Sequence, residues 1–130
     1  MKINPNNGHF TLSEFGNRVI IPYMPIADYM RLGFKLGNPD DSSAQGQIDS
    51  KTFPALNVKF QAGLLKSITI GVAGNTFDEL DKQAKHQLKK LGIKAQAYDW
   101  GTVEIGFFAQ SGEMWIEIQY YQQPIKEKMR

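Results

Sequence analysis

The chain has no cysteine, which excludes disulfide staples, thiol catalysis and thiolate metal sites together. It also lacks a long apolar run. Its uninterrupted hydrophobic stretches are only a few residues long, against the ~20 that a membrane-crossing helix needs. The first residues, Met1-Lys2-Ile3-Asn4-Pro5-Asn6-Asn7-Gly8, are polar where a secretory signal would be apolar. An excess of one charge is missing as well. Fifteen basic and 13 acidic side chains leave +2, too balanced to argue by charge alone for nucleic acid or a membrane surface. These absences lead us to expect a cytoplasmic protein with no membrane partner.

What is present is material for a core. Eight Phe, 5 Tyr and 2 Trp, with 42% hydrophobic residues over 130 positions, argue against disorder and suffice for one domain spanning 1–130. Two extended pieces are expected in residues 10–23 around Gly16-Asn17. A short helical run is expected from Ile26, with Ile26, Tyr29, Met30 and Gly33 on one side. Residues 37–52 are rich in Gly, Pro, Asp and Ser and read as a loop, either mobile or used for binding. Leu56, Val58 and Phe60 alternate with Asn57, Lys59 and Gln61. After Gly63, Ile68, Ile70 and Val72 alternate with Ser67, Thr69 and Gly71. Two half-buried antiparallel strands fit this pattern, with the length of their turn left open.

The spacing predicts a helix over 76–91. Thr76 with Glu79 makes a capping box, Phe77, Leu80, Ala84, Leu88 and Leu91 form one stripe, and Gly92 supplies the stop. The last hairpin, about 97–121, is read from Ser111-Gly112 as a two-residue turn. Residues whose numbers sum to 223 then pair. Val103, Ile105, Phe107 and Ala109 face inward with Tyr120, Ile118, Ile116 and Met114. The other face carries Glu104, Phe108, Glu113, Trp115, Glu117 and Tyr121. The expected fold is α+β: an antiparallel sheet of two hairpins with the helix on one face and the N-terminal segment at an edge. Residues 124–130 are expected to fray.

Candidate chemistry is sparse. His86 falls opposite Phe77 on the helix, among Lys82, Lys85, Lys89 and Lys90, and reads as a surface residue. His9 has no neighbouring acid to orient it. Two such histidines fall short of the three or four converging ligands a metal needs. Asp40, Asp41, Ser43 and Asp49 do not have the spacing of a calcium loop. Gly71-Val72-Ala73-Gly74-Asn75-Thr76 precedes a helix, where amides can hold an anion, but the lysine of a phosphate-binding loop is missing. Asp78 with Lys82 and Asp81 with Lys85 are pairs one turn apart, cations at a helix C-terminus favour the dipole, and no aromatic residue interleaves with the lysines to stack bases. No Gly-x-Ser-x-Gly elbow occurs. The reading is therefore of a non-catalytic protein with no cofactor, no metal and no nucleic-acid partner.

Rings set among carboxylates on a solvent-side face instead suggest protein contact. In size, layout and this acidic-aromatic face, the chain resembles the small bacterial immunity proteins of polymorphic-toxin and contact-dependent-inhibition systems. That resemblance implies a cytosolic α+β protein that neutralises a cognate toxin by occluding it, through Glu104, Phe108, Glu113, Trp115, Glu117 and Tyr121. One departure is the charge: inhibitors of nuclease toxins are often distinctly acidic, and only the local patch of Glu104, Glu113 and Glu117 has that sign here. Other readings are an accessory or chaperone-like domain of a secretion or phage system, and an enzyme of unrecognised type.

Overall fold

Thr76 and Glu79 start the main helix as their spacing predicts. In a computed structural model, which describes residues 1–121, the Glu79 N–H donates to the Thr76 hydroxyl at 3.2 Å and that hydroxyl donates to the Glu79 carboxylate at 3.2 Å. The helix, α2, runs Phe77–Leu91 and ends at Gly92, whose φ of 83° suits a residue without Cβ. Leu80, Ala84, Leu88 and Leu91 are buried along one stripe. Phe77 is not part of it. At 53% exposure it sits at the helix entrance, edge-on to Phe107, with ring centres 5.0 Å apart. Its place on the wheel is right, but the ring it meets, Phe107, is itself 42% exposed and covers only one side of it.

The fold is α+β with two antiparallel sheets. Strands β1 (Lys2–Ile3), β2 (Phe10–Leu12) and β3 (Arg18–Ile20) form the small sheet. The large sheet has the order β4-β5-β6-β9-β8-β7. Its strands are β4 (Gln45–Gln47), β5 (Ala55–Gln61), β6 (Leu64–Val72), β7 (Ala97–Tyr98), β8 (Gly101–Phe108) and β9 (Glu113–Tyr120). A short helix, α1 (Ile26–Arg31), connects the two parts. One face of the large sheet is apolar throughout, with Leu56, Val58, Ile68, Ile70, Ile116 and Ile118 all buried. Against it lie α2 and the small sheet, whose Ile3, Phe10, Leu12 and Ile20 complete the same core.

The N-terminal segment does not extend the large sheet at an edge. Its apolar residues need burial, and they obtain it as a separate sheet on the α2 side of the core. Two buried rings fix its position. The Trp100 Nε1–H donates to the Pro5 carbonyl at 2.9 Å, and the Tyr120 hydroxyl donates to the Gly8 carbonyl at 3.1 Å. Gly8, at φ 75°, packs so closely on Trp100 that a Cβ there would lie 2.6 Å from the indole. Within α1, Tyr29 is fully buried but Met30 is exposed, so the short helix buries a narrower stripe than its sequence suggests.

The hairpin registers are the main correction. β8 and β9 pair with Val103 opposite Ile118, Ile105 opposite Ile116 and Phe107 opposite Met114. The loop is four residues, Ala109 to Gly112, closed by the Gly112 N–H donating to the Phe108 carbonyl at 2.8 Å with Gly112 at φ 71°. Serine and glycine therefore end a longer turn instead of forming a two-residue one, and Ala109 is exposed in it. The shift is by two residues, so every side chain from Val103 to Phe108 keeps its expected face. In the β5–β6 hairpin the turn is Ala62-Gly63, both at positive φ. A bulge between Lys59 and Phe60 keeps Phe60 inward beside Leu65.

Residues 37–52 are not structureless. They contain β4, which pairs with β5, and they bury Ala44 and Ile48. The proposed frayed tail, 124–130, lies outside the described residues.

Candidate functional site

The face of the large sheet turned away from α2 alternates out of the same strands and is polar. From β5 to β8 one row across it reads Asn57, Thr69, Glu117, Glu104, and the next reads Ala55, Gly71, Trp115, Gly106. Trp115 thus stands between two glycines. Its Cζ3 lies 3.4 Å from where a Gly71 Cβ would be, so the indole rests on the backbone of β6 instead of rising from the sheet. On the other side, the Glu117 Oε1 occupies the gap at Gly106, 3.1 Å from a Cβ built there.

The expected contact residues are partly brought together. Phe108, Trp115 and Glu117 line one shallow depression with Asn57 and Thr69, about 320 Å³ in volume. Glu113 is the cross-strand partner of Phe108, and Glu104 that of Glu117. Phe108 is 50% exposed. Tyr121 is not in the group. It follows the end of β9, six residues beyond Trp115 and roughly 20 Å away at about 3.3 Å per residue. There it is close to Tyr23, whose hydroxyl is held above its ordinary ionisation range by burial and by Tyr121.

Two carboxylates placed directly opposite each other cost stability in a sheet, yet Glu104 faces Glu117. Among the described residues the only ion pairs are Asp28 with Arg31 and Asp81 with Lys85. Glu104, Glu113 and Glu117 therefore have no described cation to neutralise them on this face. No group of three or more His, Asp or Glu side chains positioned to hold a metal occurs among the described residues.

Sequence reasoning missed the rest of the face. A cleft of about 670 Å³ continues from Asn57 and Thr69 toward β4, lined by Lys35, Gln45, Gln47, Lys59 and Ser67 among others. Lys59, Ser67 and Thr69 were legible as the outward half of two alternating strands. Their union with residues 35–47 was not, because β4 is only three residues long and carries no alternation to read.

Compared with protein-family models, with curated proteins and with solved structures, the chain finds no match in any of the three.

Proposed function

We propose that this chain is a non-catalytic binding protein, an immunity protein in type, that neutralises a toxin domain by covering it with the open face of the large sheet. The observation that carries the reading is that face. Trp115 and the half-exposed Phe108 sit among Glu104, Glu113 and Glu117, which have no ion-pair partner among the described residues. Interfaces draw most of their energy from a few aromatic anchors, while complementary charge sets association rate and partner choice. The acidic patch calls for a partner with a basic cleft, and blocking such a cleft is a direct way to silence a toxin. Among the described residues no helix is long and apolar enough to cross a membrane, which is compatible with action in the cytoplasm.

The test is a binding titration against the product of the adjacent upstream gene. Trp115→Ala should weaken binding by about 2 kcal/mol or more, roughly 30-fold. Glu104→Lys combined with Glu117→Lys should mainly slow association, with an effect that fades at high salt. Both variants should remain folded by circular dichroism, since neither touches the inner face. Unchanged affinity in both would remove this face from the interface.

A further inference from the structure

The two edges of the large sheet are treated differently. At one edge, β4 is short and polar, and the chain closes over it: the Gly37 N–H donates to the Gln45 carbonyl at 3.1 Å, and Gly46 packs beneath Leu36. At the other edge, among the described residues, β7 pairs only with Gly101 and Thr102 of β8. The Val103 N–H donates outward to the Gln96 carbonyl at 3.0 Å. Outward-directed groups recur every second residue along an antiparallel strand, so Ile105 and Phe107 also point their N–H and C=O groups outward, beyond the end of β7. The side chains there are apolar: Ile105 is half-buried, and Phe107 is 42% exposed. No described residue pairs with this apolar stretch, and an unpaired edge of that kind is a template for another strand, which folded proteins ordinarily protect.

We propose that a second copy of this chain pairs along β8, about a two-fold axis through Gly106. Three features of the edge are complementary to one another under that single operation. Ile105 and Phe107 are two apart, so the axis sets each opposite the other in the second copy. Both become hydrogen-bonded pairs that exchange two bonds apiece. Beside Ile105, on the α2 side, is an apolar depression of about 480 Å³ lined by Leu88, Gly92, Ile93 and Ala95, with Lys85, Lys89 and Lys94 at its rim. The axis delivers Phe107 of the second copy to this depression, a ring facing a hole, twice by symmetry. Phe107 also touches Phe77 at the start of α2. Its arrival therefore brings the second copy's Asp78 toward this rim, where the acid is the complement of Lys89 and Lys94. Gly106 on the axis offers no side chain to obstruct the approach. The product is a continuous sheet of twice six strands, with both open faces on one side. The inference does not depend on the toxin reading.

Sedimentation equilibrium of the full chain, from micromolar to hundreds of micromolar, should give a species of twice the 14.7 kDa chain mass. Phe107→Glu should raise the dissociation constant by roughly 30-fold or more. Gln47→Lys, at the opposite edge, should leave it unchanged. Hydrogen exchange supplies a readout that needs no variant. The Ile105 and Phe107 amides should become slower with protein concentration, while Glu104 and Gly106, bonded to β9, should not change. A monomer at all concentrations overturns the proposal. So does a dimer indifferent to Phe107→Glu in a folded variant, or exchange at Ile105 and Phe107 that ignores concentration. If Phe107→Glu fails to fold, the exchange measurement alone decides.

Discussion

The inner and outer faces of the large sheet are built from the same strands, and they answer to different constraints. On the inner face Leu56, Val58, Ile68, Ile70, Ile116, Ile118 and Val103 are apolar and buried in one cluster with residues of α2 and the small sheet. Burial alone accounts for it, at roughly 25 cal/mol per Å² of apolar surface. On the outer face two glutamates oppose each other, an indole lies flat between two glycines, and a phenyl ring is half in solvent. Packing of the indole on the glycine backbone helps the sheet, but folding energetics gives no reason for the opposed glutamates and some reason against them. Residues that a fold does not require, and that cost it something, are the better guide to what the molecule contacts.

The contrast is broken most severely at Leu88. It is 6% exposed and faces the inner side of the sheet, so Leu88→Ala should cost about 2–5 kcal/mol. Its neighbour Lys89 is exposed, and Lys89→Ala should stay within roughly 0.5 kcal/mol. Urea titrations of both variants check this. Similar losses would mean that α2 does not discriminate a buried from a solvated side, and the two-face description would go with it.

How much of this was readable beforehand follows the same division. The stripe Leu80–Ala84–Leu88–Leu91 and its caps are short-range signals, and they place α2 correctly. The alternation in β8 and β9 assigns the faces correctly even though Ser111-Gly112 suggests the wrong loop length, because a shift of two residues preserves the period of the pleat. Phe77 and Met30 were misplaced for a common reason. A helical wheel states which residues could be covered, but not how far the covering layer extends. The strand β4 and the cleft beside it depend on pairing between distant segments, and three residues reading Gln-Gly-Gln give no local hint of it. The glycines on either side of Trp115 became meaningful only once the β6–β9–β8 register was known.

A smaller effect is expected at Glu14, which lies in the turn after β2 and holds the approach to β5. Its carboxylate accepts from the Ser50 hydroxyl at 2.8 Å, the Thr52 hydroxyl at 2.9 Å and the Lys51 N–H. Desolvation pushes the carboxyl up, but these hydrogen bonds outweigh it and hold the group below its ordinary 4.5. A depressed folded value means stabilisation that is present above about pH 4.5 and lost as pH falls through that lower value. Amide exchange at Lys51 and Thr52, corrected for intrinsic rates, should therefore accelerate in acid. Glu14→Gln should show the same loosening at neutral pH, worth about 1 kcal/mol locally, and should flatten the acid response. Because the outer-face cleft lies further along this segment, its geometry should be tested under both conditions. Exchange at 50–52 that is fast and independent of both pH and residue 14 would show that the segment is mobile, as its composition suggests.

An effect of similar size concerns two buried tyrosines on the inner side, and it turns on a hydrogen bond instead of on packing. Tyr120 is fully buried and its hydroxyl donates to Gly8. Tyr29 is equally buried, with its ring against Phe34 and Phe60 at 5.4 and 5.3 Å, but its hydroxyl has no partner among the described residues. Burial alone holds both hydroxyls well above the ordinary tyrosine range, so neither ionises near neutral pH. Removing a satisfied hydroxyl loses its bond and strands the acceptor, and Tyr120→Phe should cost about 0.5–1.5 kcal/mol. Removing an unsatisfied one relieves a desolvated polar atom at the expense of a small void. Tyr29→Phe should then be neutral or stabilising, within roughly 1 kcal/mol. Paired thermal melts of the two variants are the measurement. If Tyr29→Phe loses as much as Tyr120→Phe, the Tyr29 hydroxyl has a partner in solution, such as a buried water, and the inner face is less uniformly apolar than its side chains suggest.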